Sequence, residues 1–308
     1  MVWRDVRLYL TDRWFLTAMG VLLALFLIDQ GQIGNVTAII GDREIQLQRT
    51  PLACSQYLFS LDLYFALPLL CGLPIAARAC AEWNSGFYRL QAVRHSWTGL
   101  GLRRIAATLL AGGLLLTIPA LCAMLTFFLG NPYGQPYFQL ASHLILMRPE
   151  DCRAVAELGN PALVELLYQP LAAIESAAEP LTDEAVWAVV SQVPKSLFVG
   201  EELKFMGLTL LGCFGQGALF ALLSLTISAW QSNRFAAAGL PVLFVFIWRL
   251  LSERVAPLAP FSPYLMAYYA LWGAPSAGLR TTCLVSACLL LLMAAAYLAG
   301  AGRRMTHA

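Results

Sequence analysis

Six long runs of apolar residues constrain this chain more than any other feature of its sequence. Most of them approach the roughly 20 residues that a helix needs to cross about 30 Å of hydrocarbon. Hydrophobic residues make up 59% of the chain and charged residues only 12%, where a soluble domain carries about 25%. The runs cover residues 14–28, 57–79, 105–130, 205–230, 235–251 and 281–301. We therefore expect an all-α polytopic membrane protein with six transmembrane helices, forming one membrane domain over residues 1–308.

Backbone groups inside a bilayer must pair within the protein, so spanning segments are helices or closed barrels. None of the six runs alternates between apolar and polar residues as barrel strands do. The first run is followed by Asp29-Gln30-Gly31-Gln32 rather than by a small-x-small cleavage site. We therefore interpret it as an uncleaved first span and not as a signal peptide.

Basic residues are concentrated in alternate connecting segments. One such set holds eleven of the twenty Lys and Arg residues of the chain, and all eleven are arginines. The segments of this set are 1–13, 78–104, 231–234 and 302–308. Cytoplasmic loops carry an excess of Lys and Arg. We therefore predict a multi-pass protein of the plasma membrane with both its N-terminus and its C-terminus in the cytoplasm.

Two segments outside the runs are predicted to be helical. In residues 1–13, Val2, Val6, Tyr9 and Leu10 share one helical face, whereas Arg4 and Asp5 fall off it. We expect an interfacial helix on the inner membrane surface, although a solvated extension of the first span is the alternative.

Residues 131–203 are too long for a plain loop, so we expect a small helical cap outside the cell. Its acidic surface is interpreted as solvated, and a cationic-substrate antechamber is the weaker alternative.

Several kinds of chemistry lack the residues that they need. The only lysines, Lys195 and Lys204, do not follow a glycine as in a phosphate-binding P-loop. The three histidines are far apart and not in metal-binding spacing, and no catalytic set is recognisable. We therefore expect a non-catalytic membrane subunit that binds no cofactor or metal itself. The basic segments already have a membrane explanation, so we expect no nucleic-acid partner.

A few isolated residues are candidates for a role. Asp62 and Arg249 are charges within predicted spans, which by default suggests function. Both lie near the outer rim, so a structural ion pair or snorkelling is the preferred interpretation. Cys54 and Cys152 are the only cysteines placed outside the membrane, and an oxidising exterior permits a disulfide. A disulfide and two free thiols both remain open.

The inner loop 80–100, between the second and third runs, is the most informative connecting segment. Phe87, Leu90 and Val93 fall on one face of a short predicted helix. A Ser96-Trp97-Thr98-Gly99 turn follows, and the chain re-enters the membrane at Arg103-Arg104.

The order of residues in this inner loop resembles that in the permease subunits of ABC transporters of the type-2 permease family, which have the type V exporter fold. That family carries a Glu opening an inner helix, a Gly about four residues on, a basic residue, a Ser-containing turn and a basic residue at re-entry. The matching residues here are Glu82, Gly86, Arg89, Arg94, Ser96 and Arg103. Ser262-Pro263 also stands where the family has a Ser-Pro pair before an outer helix. The 131–203 insertion departs from the short outer loop of the family.

The resemblance implies a permease that works with partners. It implies two copies of a cytosolic ABC ATPase, which bind ATP and Mg²⁺, and a second permease subunit, identical or homologous, all at a lipid membrane. The cargo would be an exported amphipathic molecule such as a lipid, glycan, peptide or drug. Coupling to the ATPase would involve Glu82, Gly86, Phe87, Arg89, Leu90 and Arg94. We expect Glu82 at the start of the inner helix, free to pair with basic residues of the motor and important for coupling rather than folding.

A secondary transporter or channel without an ATPase partner is the competing interpretation. It would require titratable or polar residues facing a midplane cavity and an inverted repeat between the two halves. Neither is evident in the sequence.

Overall fold

Helices form nearly all of the chain that the computed structural model describes, which is residues 2–32, 36–40, 43–47, 61–94, 96–130, 195–255 and 277–306. Two short strands are the exception. The elements in chain order are α1 Val2–Leu10, α2 Arg13–Gln32, β1 Val36–Ile40, β2 Arg43–Leu47, α3 Leu61–Asn84, α4 Phe87–Arg94, α5 Trp97–Gly130, α6 Lys195–Trp230, α7 Arg234–Arg254 and α8 Ala277–Thr306.

Four of these helices are long and apolar enough to cross a membrane. The four candidate spans are Trp97–Thr126, Thr209–Trp230, Arg234–Ser252 and Leu284–Met305, and α1 with α2 gives a fifth only if this bent pair is counted as one span. They are consistent with a multi-pass membrane protein. Among the described residues, α3 is not one of the candidates. Arg78 and Glu82 near its C-terminal end lower its hydropathy, so the number of six spans stays a prediction.

The N-terminal helix α1 is amphipathic, as its spacing predicts. Val6 and Tyr9 are fully buried against the protein, while Trp3 is exposed. The chain bends by 63° between α1 and α2, and the Asp12 side chain caps α2 by accepting a hydrogen bond from the Trp14 amide. Because of this bend, α1 leaves the axis of the first predicted span instead of extending it.

α6 lies at the centre of the bundle and packs against α3, α5, α7 and α8. Its closest approach is to α5, where a β-carbon on Gly217 would overlap the carbonyl oxygen of Gly112. Helices in lipid associate through such small residues, which let their backbones come together. Close packing of this kind explains Gly217. A β-carbon on Gly207, Gly212 or Gly215 would meet nothing within 4 Å.

The segments that the sequence predicts to lie outside the cell differ from the expectation in two places. β1 and β2 pair in antiparallel register, with Val36 opposite Leu47 and Ile40 opposite Arg43, in a segment for which no strands were expected. The second difference concerns the predicted cap, because residues 195–203 belong to α6 and continue into the predicted fourth span. The rest of the cap and Ser262-Pro263 lie outside the described residues.

We predict that Gly217→Ala lowers the thermal stability of the purified protein in detergent. The added methyl group forces α5 and α6 apart, and overpacking of this kind costs about 1–3 kcal/mol. Gly215→Ala is the matched control, because it makes the same change two residues away in open space. Equal unfolding temperatures for the two variants would contradict the proposed close packing.

Candidate functional site

The four arginine-rich segments meet at one end of the helical bundle. The end of α3 reaches the turn between α6 and α7, where the Asn84 amide donates to the Ser232 carbonyl at 3.3 Å. The end of α6 reaches α8, where the Trp230 indole donates to the Ala296 carbonyl at 3.3 Å. We call this end of the molecule the arginine face. It comprises α1, α4, the C-terminal ends of α3, α6 and α8, and the N-terminal ends of α2, α5 and α7.

Glu82 is the centre of a buried charge cluster on the arginine face. Its Oε1 accepts a hydrogen bond from Arg78 Nε at 3.1 Å, one helical turn earlier on α3. Its Oε2 forms an ion pair with Arg104 Nη2 of α5. The Glu82 and Arg104 side chains are only 12% and 6% exposed. Two arginines of its own chain therefore already pair with the Glu82 carboxylate.

A second ion pair fixes α1 to the same place. Arg103, next to Arg104, binds Asp5 through both carboxylate oxygens, with Nη2 at 2.7 Å from Oδ1. Asp5 is buried, so the prediction that it lies off the apolar face of α1 is wrong. It stands three residues after Val2 and four before Tyr9, a spacing that places it at the edge of the apolar stripe. An acid at that edge is a sequence signal that could have indicated the burial of Asp5, although it does not identify Arg103 as the partner.

Aromatic side chains join α4 to this cluster. The hydroxyl groups of Tyr88 on α4 and Tyr297 on α8 are hydrogen-bonded at 2.9 Å. The Tyr88 ring stacks on Trp83 with their centroids 4.1 Å apart, and the guanidinium carbon of Arg104 lies over the Tyr88 ring at 5.6 Å from its centroid. Burial raises the pKa of Tyr88, so its phenol stays protonated near neutral pH and keeps this hydrogen bond. Tyr88 therefore links α4 to both α3 and α8.

Gly86 makes the sharp change of direction between α3 and α4. Its φ of 71° lies in the left-handed region, and its amide donates to the Trp83 carbonyl at 3.2 Å. This is a helix C-terminus ended by glycine, as residues with a β-carbon rarely adopt that conformation. A β-carbon here would meet nothing within 4 Å, so the helix break rather than close approach explains the glycine.

The sequence places Glu82 at the start of the inner helix, and this prediction is wrong because of where α3 ends. α3 continues to Asn84 and the inner helix begins only at Phe87. Glu82 therefore lies in the last turn of α3 and not at the start of the inner helix.

α4 leaves apolar side chains uncovered. Tyr88 faces inward with 2% exposure, whereas Phe87 and Leu90 are 45% and 68% exposed. Arg89 and Arg94 lie on the same helix, but their side chains, like that of Val93, lie outside the described residues. We call Phe87 and Leu90 the α4 apolar patch.

The other candidate residues do not join this site. Asp62 lies in the first turn of α3 and its side chain is outside the described residues. Arg249 is half-buried near the other end of α7, and Ser252 donates to its carbonyl at 2.8 Å. Cys54 and Cys152 lie outside the described residues, so their pairing stays open. In the described ranges, no group of three His, Cys, Asp or Glu side chains could hold a metal ion.

Comparison with protein-family models, with curated proteins and with solved structures finds no match to this chain.

We predict that Glu82→Gln destabilises the protein, contrary to the sequence-based expectation that Glu82 matters only for coupling. The substitution leaves the buried Arg104 guanidinium without its counter-charge, which typically costs about 3–5 kcal/mol. Thermal unfolding in detergent should show the loss, and Glu82→Gln combined with Arg104→Met should recover part of it. A single variant as stable as the parent protein would refute the role of the cluster in stability.

Gly86→Ala should also destabilise the protein, by about 1–2 kcal/mol, because alanine disfavours a positive φ. Gly86→Asn should cost less, since asparagine tolerates the left-handed region better. Nothing lies close enough to clash with either side chain, so the difference isolates the backbone effect. Equal stability of the two variants would argue that the local backbone conformation does not matter.

Proposed function

We propose that this chain is the permease subunit of an ATP-driven ABC transporter of the type-2 permease family, and that it exports an amphipathic cargo. The observation that carries the proposal is α4, a short helix between the end of α3 and the start of α5. It has one side anchored in the arginine face and the α4 apolar patch exposed. A helix that is rigidly attached yet uncovered on its other side suits the docking of a cytosolic motor.

The membrane arrangement belongs to the proposal. Six spans would place the arginine face in the cytoplasm, together with both termini, and the insertion 131–203 outside the plasma membrane. The concentration of arginines at one end of the bundle supports this orientation. So does the meeting of the four predicted inner segments at that end.

Coupling would use the contacts of the arginine face. ATP-dependent closure of two ATPase subunits would move α4, and Tyr88 would transmit the movement to α8 through Tyr297 and to α3 through Trp83. Glu82 and Arg104 would hold α3 and α5 together during that movement. ATP and Mg²⁺ would bind to the ATPases and not to this chain.

A second permease subunit, identical or homologous, would complete the pathway. The candidate spans in α7 and α8 have 28% and 22% of their residues buried, against 56% in α5 and α6. Their apolar surfaces are therefore available to lipid and to another permease subunit.

A secondary transporter or channel would need ionisable groups along its spans. Among the buried polar residues that the structure describes, the only charged ones are Asp5 and Arg104, and both belong to the arginine face. The others are hydroxyl residues such as Ser224 and Thr226, the latter bonded to the Leu222 carbonyl. This distribution favours a permease driven by a separate motor.

Leu90→Glu should prevent the association with an ATPase while leaving the membrane domain folded, because it places a charge in the α4 apolar patch. Affinity purification from native membranes in mild detergent, followed by mass spectrometry, should identify an ATPase with the parent chain and not with the variant. Leu8→Glu is the control, because Leu8 is also exposed on the arginine face but lies on α1.

Two results would contradict the proposed function. One is ATP hydrolysis by the pure isolated chain. The other is transport in reconstituted vesicles that an ion gradient drives without ATP, which would favour a secondary transporter.

A further inference from the structure

A groove of about 550 Å³ opens on the arginine face, beside the buried cluster of Glu82. It lies between the start of α2, the end of α3, the start of α4 and the start of α7. The residues that matter for its charge are Asp12, Arg13, Arg78, Glu82 and Arg234. Glu82 and Phe87 also line this groove and take part in the proposed coupling, whereas Arg13 and Arg234 have no role in that coupling.

Three of these charged side chains already have partners. Arg78 and Glu82 bind each other, and Arg78 Nη1 also donates to the Leu8 carbonyl at 2.8 Å. Asp12 Oδ1 accepts from the Trp14 amide as the N-cap of α2, and its negative charge offsets part of the positive charge of the groove. Arg13 and Arg234 are exposed, and in the described part of the chain neither forms an ion pair with an acid. The groove therefore presents two positive charges from two different helices.

Both arginines are oriented by an aromatic neighbour. The guanidinium carbon of Arg13 lies 5.8 Å from the ring centroid of Trp14, and that of Arg234 lies 4.9 Å from the ring centroid of Phe235. Stacking of this kind uses the flat face of a guanidinium and leaves its N–H groups free at the edge. Those groups match the oxygens of a phosphate, which an arginine can bind in bidentate fashion.

The surroundings indicate a ligand with an apolar part. Phe235, next to Arg234, is 63% exposed, and further along α7 Leu240 and Leu243 are also exposed. Leu16 provides a similar surface along α2. Trp14 stands at the start of the first predicted span, where aromatic residues mark the level of the lipid headgroups.

We propose that this groove binds the phosphate of an anionic phospholipid of the inner leaflet. Arg13 and Arg234 hold the phosphate, while the acyl chains lie along the exposed apolar surfaces of α2 and α7. Basic pockets between membrane helices on the cytoplasmic side are suited to such headgroups. The two open apolar flanks favour a lipid over a soluble phosphate compound.

The test uses the full-length protein, purified and delipidated in detergent. Binding of phosphatidylglycerol is measured by native mass spectrometry and by the shift in unfolding temperature. Phosphatidylcholine with the same acyl chains is the neutral comparison, and glycerol 3-phosphate is the soluble one. The variant Arg13→Gln/Arg234→Gln is compared with Arg4→Gln/Arg7→Gln, which removes two exposed arginines of α1 outside the groove.

We expect phosphatidylglycerol to bind and to raise the unfolding temperature more than phosphatidylcholine does. Arg13→Gln/Arg234→Gln should weaken this binding about tenfold or more, because two charge-assisted contacts are lost. Arg4→Gln/Arg7→Gln should bind as the parent protein does. Equal weakening in both variants would overturn the proposal in favour of non-specific attraction, as would equal binding of phosphatidylcholine. Equal protection by glycerol 3-phosphate would overturn the lipid assignment in favour of a soluble phosphate ligand.

Discussion

The ion pair between Glu82 and Arg104 is the interaction on which the arrangement of the arginine face depends. Neither charge can be left unpaired at this depth without a large loss of stability. The pair therefore fixes α3 against α5. Because the adjacent Arg103 binds Asp5, the same turn of α5 also holds α1. Two consecutive arginines thus set the positions of α3 and α1. They also set the position of α4, because Tyr88 on that helix packs beside Arg104.

Apolar packing plays a different part in the same architecture. Lipid is as apolar as a leucine side chain, so membrane helices gain little by burying leucine against one another. Here α5 and α6 approach through Gly112 and Gly217, while the ionic contacts lie at one end of the bundle. Polar contacts therefore bind the helix ends, and small residues join the helices along their length. A movement of α4 would affect both the ionic contacts and the small-residue contacts, because α5 takes part in each.

The sequence predicted the positions of the helices better than the contacts between them. Hydropathy located four of the candidate spans and the arginine count located the face, since both signals are local. The pairing of Asp5 with Arg103 joins residues 98 positions apart, and no local pattern encodes it. Helix ends were misjudged where hydropathy falls but the helix continues, as α3 does past Arg78 to Asn84. The hairpin of β1 and β2 could have been predicted from the turn dipeptide Gly41-Asp42, which lies between two short segments rich in β-branched or alternating residues. The interpretation of the sequence rested on the six long apolar runs and passed over this turn.

The burial of Glu82 changes the physical meaning of the family resemblance. In the family an acid at this place suggests a direct contact with the motor, yet here two arginines of the same chain hold both oxygens. An exposed apolar pair, Phe87 and Leu90, stands one turn further along the chain. The contact with a motor would then be apolar and made by α4, while Glu82 would act indirectly by holding the spans to which α4 is attached. Docking by Phe87 and Leu90 and support of the spans by Glu82 would thus reside in different residues, on opposite sides of the left-handed turn at Gly86.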